Sequence, residues 1–568
     1  MQLTRRQWLS GASLLAASPA TAGLTLSPPA SASVVSRGAG DPSALVEGLR
    51  AYAARELEVY GLPGMTLSVS GPGGFAATLA VGYANLDSAR PVTADQLFQI
   101  GSISKSMLAL ALYRLADIGK VDLDAAVDTV IPGMSLPPER ITIAQLLNHS
   151  TGLPADAPLF PRAFGDRLWL GYKPGTRFSY SNTGFDLLGA VVARASGVPY
   201  HRALVDLVLR PLGMTRTEPL IRTSDRARYA IGYVPLLDRP FFPGARFGTA
   251  AWLDIEIPAG SVASTSGDMA RYLAFVARLG RGSGGPLFSD ALARRFVTST
   301  ISATEFGPKG RYASGIATVD VDGRTCLHHT GGMIAFSSSL TVDPVAGGGV
   351  FASVNAHAGD YRPRAVTRYG CRLLRAYAEG KAMPPSPPVE PVAKVAHAGD
   401  FAGRFMAANG DVLTVTPRDG WPVVGADGAE GRMRGAGPGR FVTDHPRLSR
   451  HELAYEGKGR RDRLWSGGTI YGRDRPLPTP PPDSAIAGLA GTYASNDPWV
   501  GVISVVARDK ALIVESGGEV RRAADGSWRP VDPEGACERL IFDAVVEGQA
   551  QRVNLSGIEL RRFHDTDG

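Results

Sequence analysis

The sequence predicts an α/β plus all-α domain, built as an antiparallel sheet with helices and followed by two small antiparallel all-β barrels. Three observations predict it. Strand and hairpin signals stand at both ends of the first 380 residues, with a helical block between them. Two proline-rich runs divide the remainder, and the two pieces they leave resemble each other. A chain of 568 residues is too long for one core. The joints therefore give parts at 33–380, 398–475 and 485–568, with linkers at 381–397 and 476–484.

The first part opens at Asp41-Pro42, a helix start, with Leu45, Leu49 and Tyr52 on one side of the turn that follows. Thr66-Leu67-Ser68-Val69 and Ala76-Ala77-Thr78-Leu79-Ala80-Val81 flank Gly71-Pro72-Gly73-Gly74, a hairpin signal. Leu97 to Ile100 reads as a strand end, Gly101 as a break, and Met107 to Leu115 as a mostly apolar helix. Helical patterning continues through the middle, including Leu187 to Val192. Strands return at 312–356, and a helix is expected from Tyr361 to Ala378. An N-terminal and a C-terminal segment thus build one sheet, with the helical region inserted.

The joints are Met383-Pro384-Pro385-Ser386-Pro387-Pro388 and Pro476-Leu477-Pro478-Thr479-Pro480-Pro481-Pro482, compositions that act as stiff spacers. Beyond the first joint the chain repeats. Phe401-Ala402-Gly403-Arg404-Phe405 matches Leu489-Ala490-Gly491-Thr492-Tyr493, Leu453 to Glu456 matches Leu540 to Asp543, and Arg463 to Gly467 matches Arg552 to Gly557. The offsets of 88, 87 and 89 residues keep one register. Short alternating runs such as Val412 to Thr416 and Val502 to Val506, broken by Gly, Asp and Pro, read as antiparallel strands and turns. Closure into barrels also removes exposed edges.

Chemistry concentrates at Ser102-Ile103-Ser104-Lys105. Residues i and i+3 share a helix face, so the hydroxyl and the amine can meet. A lone serine is a poor nucleophile, a buried lysine can take its proton, and amides at a helix start can hold an oxyanion. No other lysine here has a serine three residues before it. Taken alone, the tetrad equally fits a solvated pair on a surface helix. Tyr180-Ser181-Asn182, between the turn Lys173-Pro174-Gly175-Thr176 and a helix, fits any loop. His329-Thr330-Gly331-Gly332, between two strand-like runs, fits an ordinary turn. Their order and spacing together carry the weight.

In that order the three segments resemble the SxxK, YxN and K/H-T/S-G motifs of the serine beta-lactamase and penicillin-binding-protein-like hydrolases. The branch is that of class C beta-lactamases, related esterases and D-aminopeptidases. Gln145 to Leu153 and Ala259 to Thr265 support the likeness, which covers roughly residues 40 to 378. The tail resembles the paired lipocalin-like barrels of some D-aminopeptidases in the same family. The resemblance implies Ser102 as nucleophile and Lys105 as base or electrostatic partner. Tyr180 would shuttle the proton, and Asn182 would hold Lys105 and the substrate carbonyl. His329 stands where the family places its strand cation. The backbone amides of Ser102 and Gly332 would form the oxyanion hole, with Thr330 and Gly331 at the substrate. A core tyrosine and a satisfied strand histidine are the competing structural readings of Tyr180 and His329. Beta-lactamases of the branch usually carry lysine where this chain has His329, whereas its esterases and D-aminopeptidases commonly carry histidine. The implied activity is therefore D-aminopeptidase-like or esterase action on a small molecule or short peptide, ahead of beta-lactamase or D,D-carboxypeptidase action. A non-catalytic binder of envelope peptides, with the barrels as its interaction module, is the reading of a different class. In the hydrolase reading a barrel loop is expected to narrow the cleft and limit substrate size.

Thr4-Arg5-Arg6-Gln7-Trp8-Leu9, a weakly apolar stretch and Ala30-Ser31-Ala32 read as a twin-arginine export signal over residues 1–32, with an alternative cut after Ala20-Thr21-Ala22. The mature protein is expected in the periplasm or outside the cell, and no apolar run beyond the signal reaches the ~18 residues of a spanning helix. The formal charge of +7 becomes +5 without Arg5 and Arg6. No basic stripe with interleaved aromatics is present, which argues against nucleic-acid binding. Cys326, Cys371 and Cys537 are too few and too widely spaced for a disulfide framework, and core packing is their expected role, one bridge remaining open. A metal at Cys326, His328 and His329 is disfavoured, since zinc needs three or four convergent ligands. No cofactor is expected.

Overall fold

Two distant stretches of chain supply the sheet of the first domain. The computed structural model describes residues 29–35, 41–236, 246–357, 362–389, 395–456, 462–497, 499–515 and 517–563. Gly64–Ser70 and Ala76–Asn85 form the expected hairpin, and Gly64–Ser70 also pairs with Gly348–Val354 from the far end of the domain. The sheet continues antiparallel through Phe336–Asp343, Arg324–Met333, Ala317–Val321, Arg311–Tyr312 and Ile301–Ser302. At the opposite edge, Ala30–Val35 pairs with Ala76–Asn85 in register from Ala30↔Val81 to Val35↔Ala76. The Ala30-Ser31-Ala32 of the expected cleavage site thus lies within an edge strand. The twin-arginine segment itself falls outside the described residues.

Gly64–Ser70, Phe336–Asp343 and Gly348–Val354 are buried at every position, because both sheet faces are covered. On one face lie helices Ser43–Tyr60 and Pro363–Ala378, whose Leu45, Leu49, Tyr52 and Leu373 share a core with Val350 and Leu67. The first of these ends at Gly61, which takes the left-handed φ of 65° that closes a helix. Helix Ser266–Gly280 packs on the other face. Hydroxyls in the central strands let the helices approach closely and are paired there: Ser338 with Ser353 at 2.7 Å, Ser339 with Thr367 at 2.9 Å, and Ser68 donating to the Ser266 carbonyl at 2.5 Å. Arg362 grips the fully buried Glu56 through two bonds of 2.9 and 2.7 Å, tying the segment before the last helix to the first. Removing one partner of such a pair typically costs about 3–5 kcal/mol.

The inserted helical region builds its own core around helix Ser104–Asp117, buried almost all round, and helix Asn182–Ser196 packs against it. The active-site candidates lie where this region meets the strand Arg324–Met333.

Both tail repeats close. The first is an eight-stranded antiparallel barrel from Gly403–Ala407 to Thr469–Arg473, the second a barrel from Gly491–Ala494 to Ile558–Arg562. The repeats matched in sequence are structurally equivalent: Leu453–Glu456 and Leu540–Val546 are each the sixth strand, Arg463–Ser466 and Gln549–Leu555 each the seventh. A further correspondence escaped the sequence comparison. Arg473, ending the last strand of the first barrel, donates to the Ala402 carbonyl and covers the Phe405 ring at 4.9 Å. Arg562 likewise donates to the Ala490 carbonyl at 2.8 Å and covers Tyr493 at 5.0 Å. A Cβ on Gly403 or Gly491 would meet those guanidinium groups at 2.6 and 2.2 Å, so the Ala-Gly-x-aromatic opening exists to seat this arginine.

The second proline run is not a spacer from its start. Pro476–Leu477 pairs in parallel with Met406–Ala407, extending the first barrel's sheet into the stretch expected as linker. Proline lacks a ladder donor and is tolerated at such an edge, first-in-strand position. All three cysteines are buried and unbridged. Among the described residues no helix is long and apolar enough to cross a membrane.

Candidate active site

Two glycines bring the serine turn and the Arg324–Met333 strand together. A Cβ on Gly331 would sit 1.8 Å from the Ile100 carbonyl, and one on Gly101 would sit 2.7–2.8 Å from the backbone of Gly332. Gly101 also needs its φ of 54°. Only glycine at both positions lets the Gly332 amide reach the neighbourhood of Ser102. Ser102 lies in the short 3-10 turn Gly101–Ile103, half-buried, with helix Ser104–Asp117 continuing behind it.

Lys105 follows one turn on and is fully buried. Its Nζ lies 3.1 Å from Ser102 Oγ, 2.6 Å from Asn182 Oδ1 and 2.7 Å from the Ala259 carbonyl. Asn182 is delivered by its helix start: Ser181 accepts the Gly184 N–H at 3.0 Å as N-cap and donates to the Pro154 carbonyl at 2.6 Å. The Asn182 amide then donates to Asp156 at 2.5 Å, which leaves its oxygen for Lys105. Tyr180 is buried beside them, its ring 5.0 Å from Lys105 Nζ and stacked on His149 at 4.3 Å and 33°. His149 Nδ1 accepts the Ser181 N–H at 3.1 Å, so this histidine fixes the backbone on which Tyr180 and Asn182 stand.

The structure therefore brings together Ser102, Lys105, Tyr180, Asn182 and the Gly332 backbone. The remaining candidates are placed as follows. His329 is fully buried, and its ring centroid is 6.4 Å from that of Tyr180. Its Nδ1 lies 2.6 Å from the Thr330 carbonyl and its Nε2 2.8 Å from Tyr312 Oη. A carbonyl only accepts, so Nδ1 carries a hydrogen; Nε2 then either accepts from the Tyr312 hydroxyl or, protonated, donates to it. His329 is thus engaged with Tyr312 and the Thr330 carbonyl. Thr330 and Gly331, expected at the substrate, are buried in the strand, and Gly331 serves the close approach to Ile100. Among the described residues no three His, Cys, Asp or Glu side chains converge as a metal site would require.

Asp156, Asp186, Tyr312 and the role of His149 were missed from sequence. Asp156 and Tyr312 lie where no periodicity marks them, while His149 stood in a supporting segment without an assigned task. Asp186 lies one turn after Asn182. Its Oδ1 is sealed from solvent without a hydrogen-bond partner. Burial pushes its carboxyl up to about 7, against the pull of the Lys105 ammonium and a bond from the Ala259 amide. A carboxyl raised in the folded state binds its proton more tightly than in the unfolded chain, so its contribution to stability falls as pH rises from about 4 to about 7. Asp186→Asn is expected to melt higher than wild type at pH 7 and alike at pH 4, measured by thermal denaturation across that range. A lower melting point at pH 7 would show that the Lys105–Asp186 attraction outweighs the cost of burial.

A family model described as Beta-lactamase matches residues 49–370. Penicillin-binding protein 4* of Bacillus subtilis (strain 168) is 30% identical over 172 residues, covering 27% of this chain and 38% of that protein. Protein flp of Staphylococcus aureus (strain NCTC 8325 / PS 47) is 24% identical over 337 residues, covering 55% of this chain and 63% of that protein. The chain thus spans less than two thirds of either relative. Penicillin-binding protein 4 of Amycolatopsis lactamdurans is 28% identical over 320 residues, covering 52% of this chain and 81% of that protein. Among solved structures, the octameric penicillin-binding protein homologue from Pyrococcus abyssi matches with a TM-score of 0.54 and 22% identity, over 75% of this chain and 99% of that one, a likeness of fold.

Proposed function

Because the chain belongs to the beta-lactamase family, we propose that it is an exported serine hydrolase that forms an acyl-enzyme on Ser102 and acts on small esters or D-amino-acid amides. The carrying observation is the hydrogen-bond arithmetic at Lys105. A neutral amine has two N–H donors and one lone pair. With its donors on Asn182 Oδ1 and the Ala259 carbonyl, the lone pair faces the Ser102 hydroxyl at 3.1 Å. After taking the serine proton, the ammonium has three donors for the same three oxygens. Both protonation states can keep the bonds to Asn182 and Ala259, which suits a general base.

In this reading Ser102 Oγ attacks the substrate carbonyl while its proton passes to Lys105. The N–H groups of Ser102 and Gly332 hold the oxyanion, a term of about 3 kcal/mol per donor. Tyr180, packed against Lys105, relays the proton to the leaving amine or alkoxide as the intermediate collapses. Water then attacks the acyl-enzyme by the reverse relay and frees Ser102. A histidine at 329, engaged with Tyr312 and the Thr330 carbonyl, is not the permanent cation that a lysine would be for a substrate carboxylate, which favours esters and amides with a free amine over beta-lactams.

The test is active-site labelling followed by a substrate panel. A fluorophosphonate should add to the Ser102 peptide, read by mass spectrometry. p-Nitrophenyl esters or D-amino-acid p-nitroanilides should turn over at least about tenfold faster than nitrocefin. No adduct would return the chain to a binding role, and preferred turnover of nitrocefin would make it a beta-lactamase.

Export carries its own expectation. A cut after Ala32 would remove half of the edge strand Ala30–Val35, whereas a cut after Ala22 keeps it whole. Pairing of that strand supports the earlier cut. N-terminal sequencing of the secreted protein should begin at Gly23, and a start at Ser33 would refute this.

A further inference from the structure

The second barrel does not merely follow the catalytic domain. Its segment 533–539, between the strands Trp528–Pro530 and Leu540–Val546, is packed against the loop that leads to Tyr180 and Asn182. Trp169 Nε1 donates to the Cys537 carbonyl at 2.7 Å, Arg177 donates to the Pro533 carbonyl at 2.8 Å, and Ser179 meets Cys537 Sγ at 3.5 Å. A Cβ on Gly171 would lie 2.6 Å from the Ala536 carbonyl. In the midst of this contact a carboxylate is buried: Glu538 is 7% exposed. Its Oε1 accepts the Ala155 N–H at 3.0 Å and its Oε2 accepts the Ser556 hydroxyl at 2.7 Å.

The Ala155 peptide is itself part of the site. Its carbonyl accepts the N–H of Asn182 at 2.6 Å and of Thr183 at 3.2 Å. The next residue, Asp156, accepts from the Asn182 side chain, which accepts from Lys105. We propose that Glu538 of the second barrel is a positioning residue for the reaction, holding the backbone at Ala155, whose carbonyl and whose neighbour Asp156 orient Asn182 and, through it, Lys105. A buried carboxylate is costly unless it is hydrogen-bonded, and this one meets a backbone donor of the catalytic domain. The consequence differs from steric control of substrate size: the barrel enters the rate of acylation of every substrate. Catalytic geometry tolerates little error, since misplacement by about 1 Å costs up to 10²-fold.

This rests on Ser102 being the nucleophile, so the readout is the rate of fluorophosphonate acylation, which is independent of substrate class. In the full-length protein, Glu538→Ala is expected to slow acylation about 10–100-fold and to change its pH dependence, which reports Lys105. Glu538→Gln keeps an acceptor for Ala155 and should stay within a few-fold of wild type. Arg177→Ala loosens the same contact without touching the Ala155 peptide and should acylate at the wild-type rate. Glu538→Asp keeps the charge but shortens the reach. It should lose several-fold and serves if the alanine variant does not fold. A folded Glu538→Ala or Glu538→Asp protein acylating at the wild-type rate and pH profile would overturn the proposal. So would equal losses in Glu538→Ala and Arg177→Ala. A wild-type chain that is never labelled would instead remove the hydrolase reading, and this inference with it.

Discussion

Ser102→Ala is expected to reduce turnover of every ester and amide substrate by about 10⁴–10⁶-fold, the range over which loss of a serine nucleophile acts in enzymes whose residues work as a unit. Residual activity would come from the remaining N–H donors and substrate binding. The fold should survive. Ser102 is half-buried in a short turn, and Lys105 also has the Asn182 Oδ1 and the Ala259 carbonyl as acceptors. The melting temperature should change by no more than a few degrees, and the fluorophosphonate adduct should vanish. Wild-type turnover from a folded Ser102→Ala protein would place the nucleophile elsewhere.

Lys105→Met is expected to be the second most damaging change. It keeps the unbranched stem of the buried side chain, one atom shorter, and removes the amine. Loss of a positioned general base slows proton transfer about 10²–10⁴-fold. The sign with pH is specific: if the neutral amine is the base, wild-type acylation rises as pH rises and deprotonates it, and that rising limb should disappear in Lys105→Met. Stability should fall as well, because Asn182 Oδ1 and the Ala259 carbonyl lose a donor, at about 1–3 kcal/mol for each group left unsatisfied. Stopped-flow acylation across pH, together with a thermal melt, reads both effects. A rising limb retained unchanged in the mutant would assign the base to another group, with Tyr180 the first candidate.

The legible parts of this protein were the local ones. The Ser102–Lys105 pairing is one helical turn, so spacing alone put the two groups in contact. The hairpin about Gly71 to Gly74 follows from its turn residues, and the duplicated tail followed from a register kept over nearly ninety residues. His329 shows the limit of such reading. Its place in the strand was legible, but its engagement with Tyr312 was not, because Tyr312 pairs with a neighbouring strand and is marked by no motif. The packing requirement at Gly331 escaped the sequence for the same reason, since the Ile100 carbonyl that demands glycine there arrives from a separate part of the chain.

The sequence by itself determined the family motifs, the sheet built from both ends of the domain, the repeated barrels and the side chains of the candidate site. Tertiary structure alone decided how those side chains are poised. Lys105 meets acceptors 77 and 154 residues away, and Ala155 is held by a carboxylate 383 residues away. Asp186 is an ordinary amphipathic-helix position until burial raises its carboxyl to about 7. Periodicity and spacing report which face of an element is apolar and which residues share a turn. Desolvation and hydrogen-bond completion depend on what the rest of the chain packs against that face, and those terms set the protonation and orientation on which the chemistry proposed at Ser102 rests.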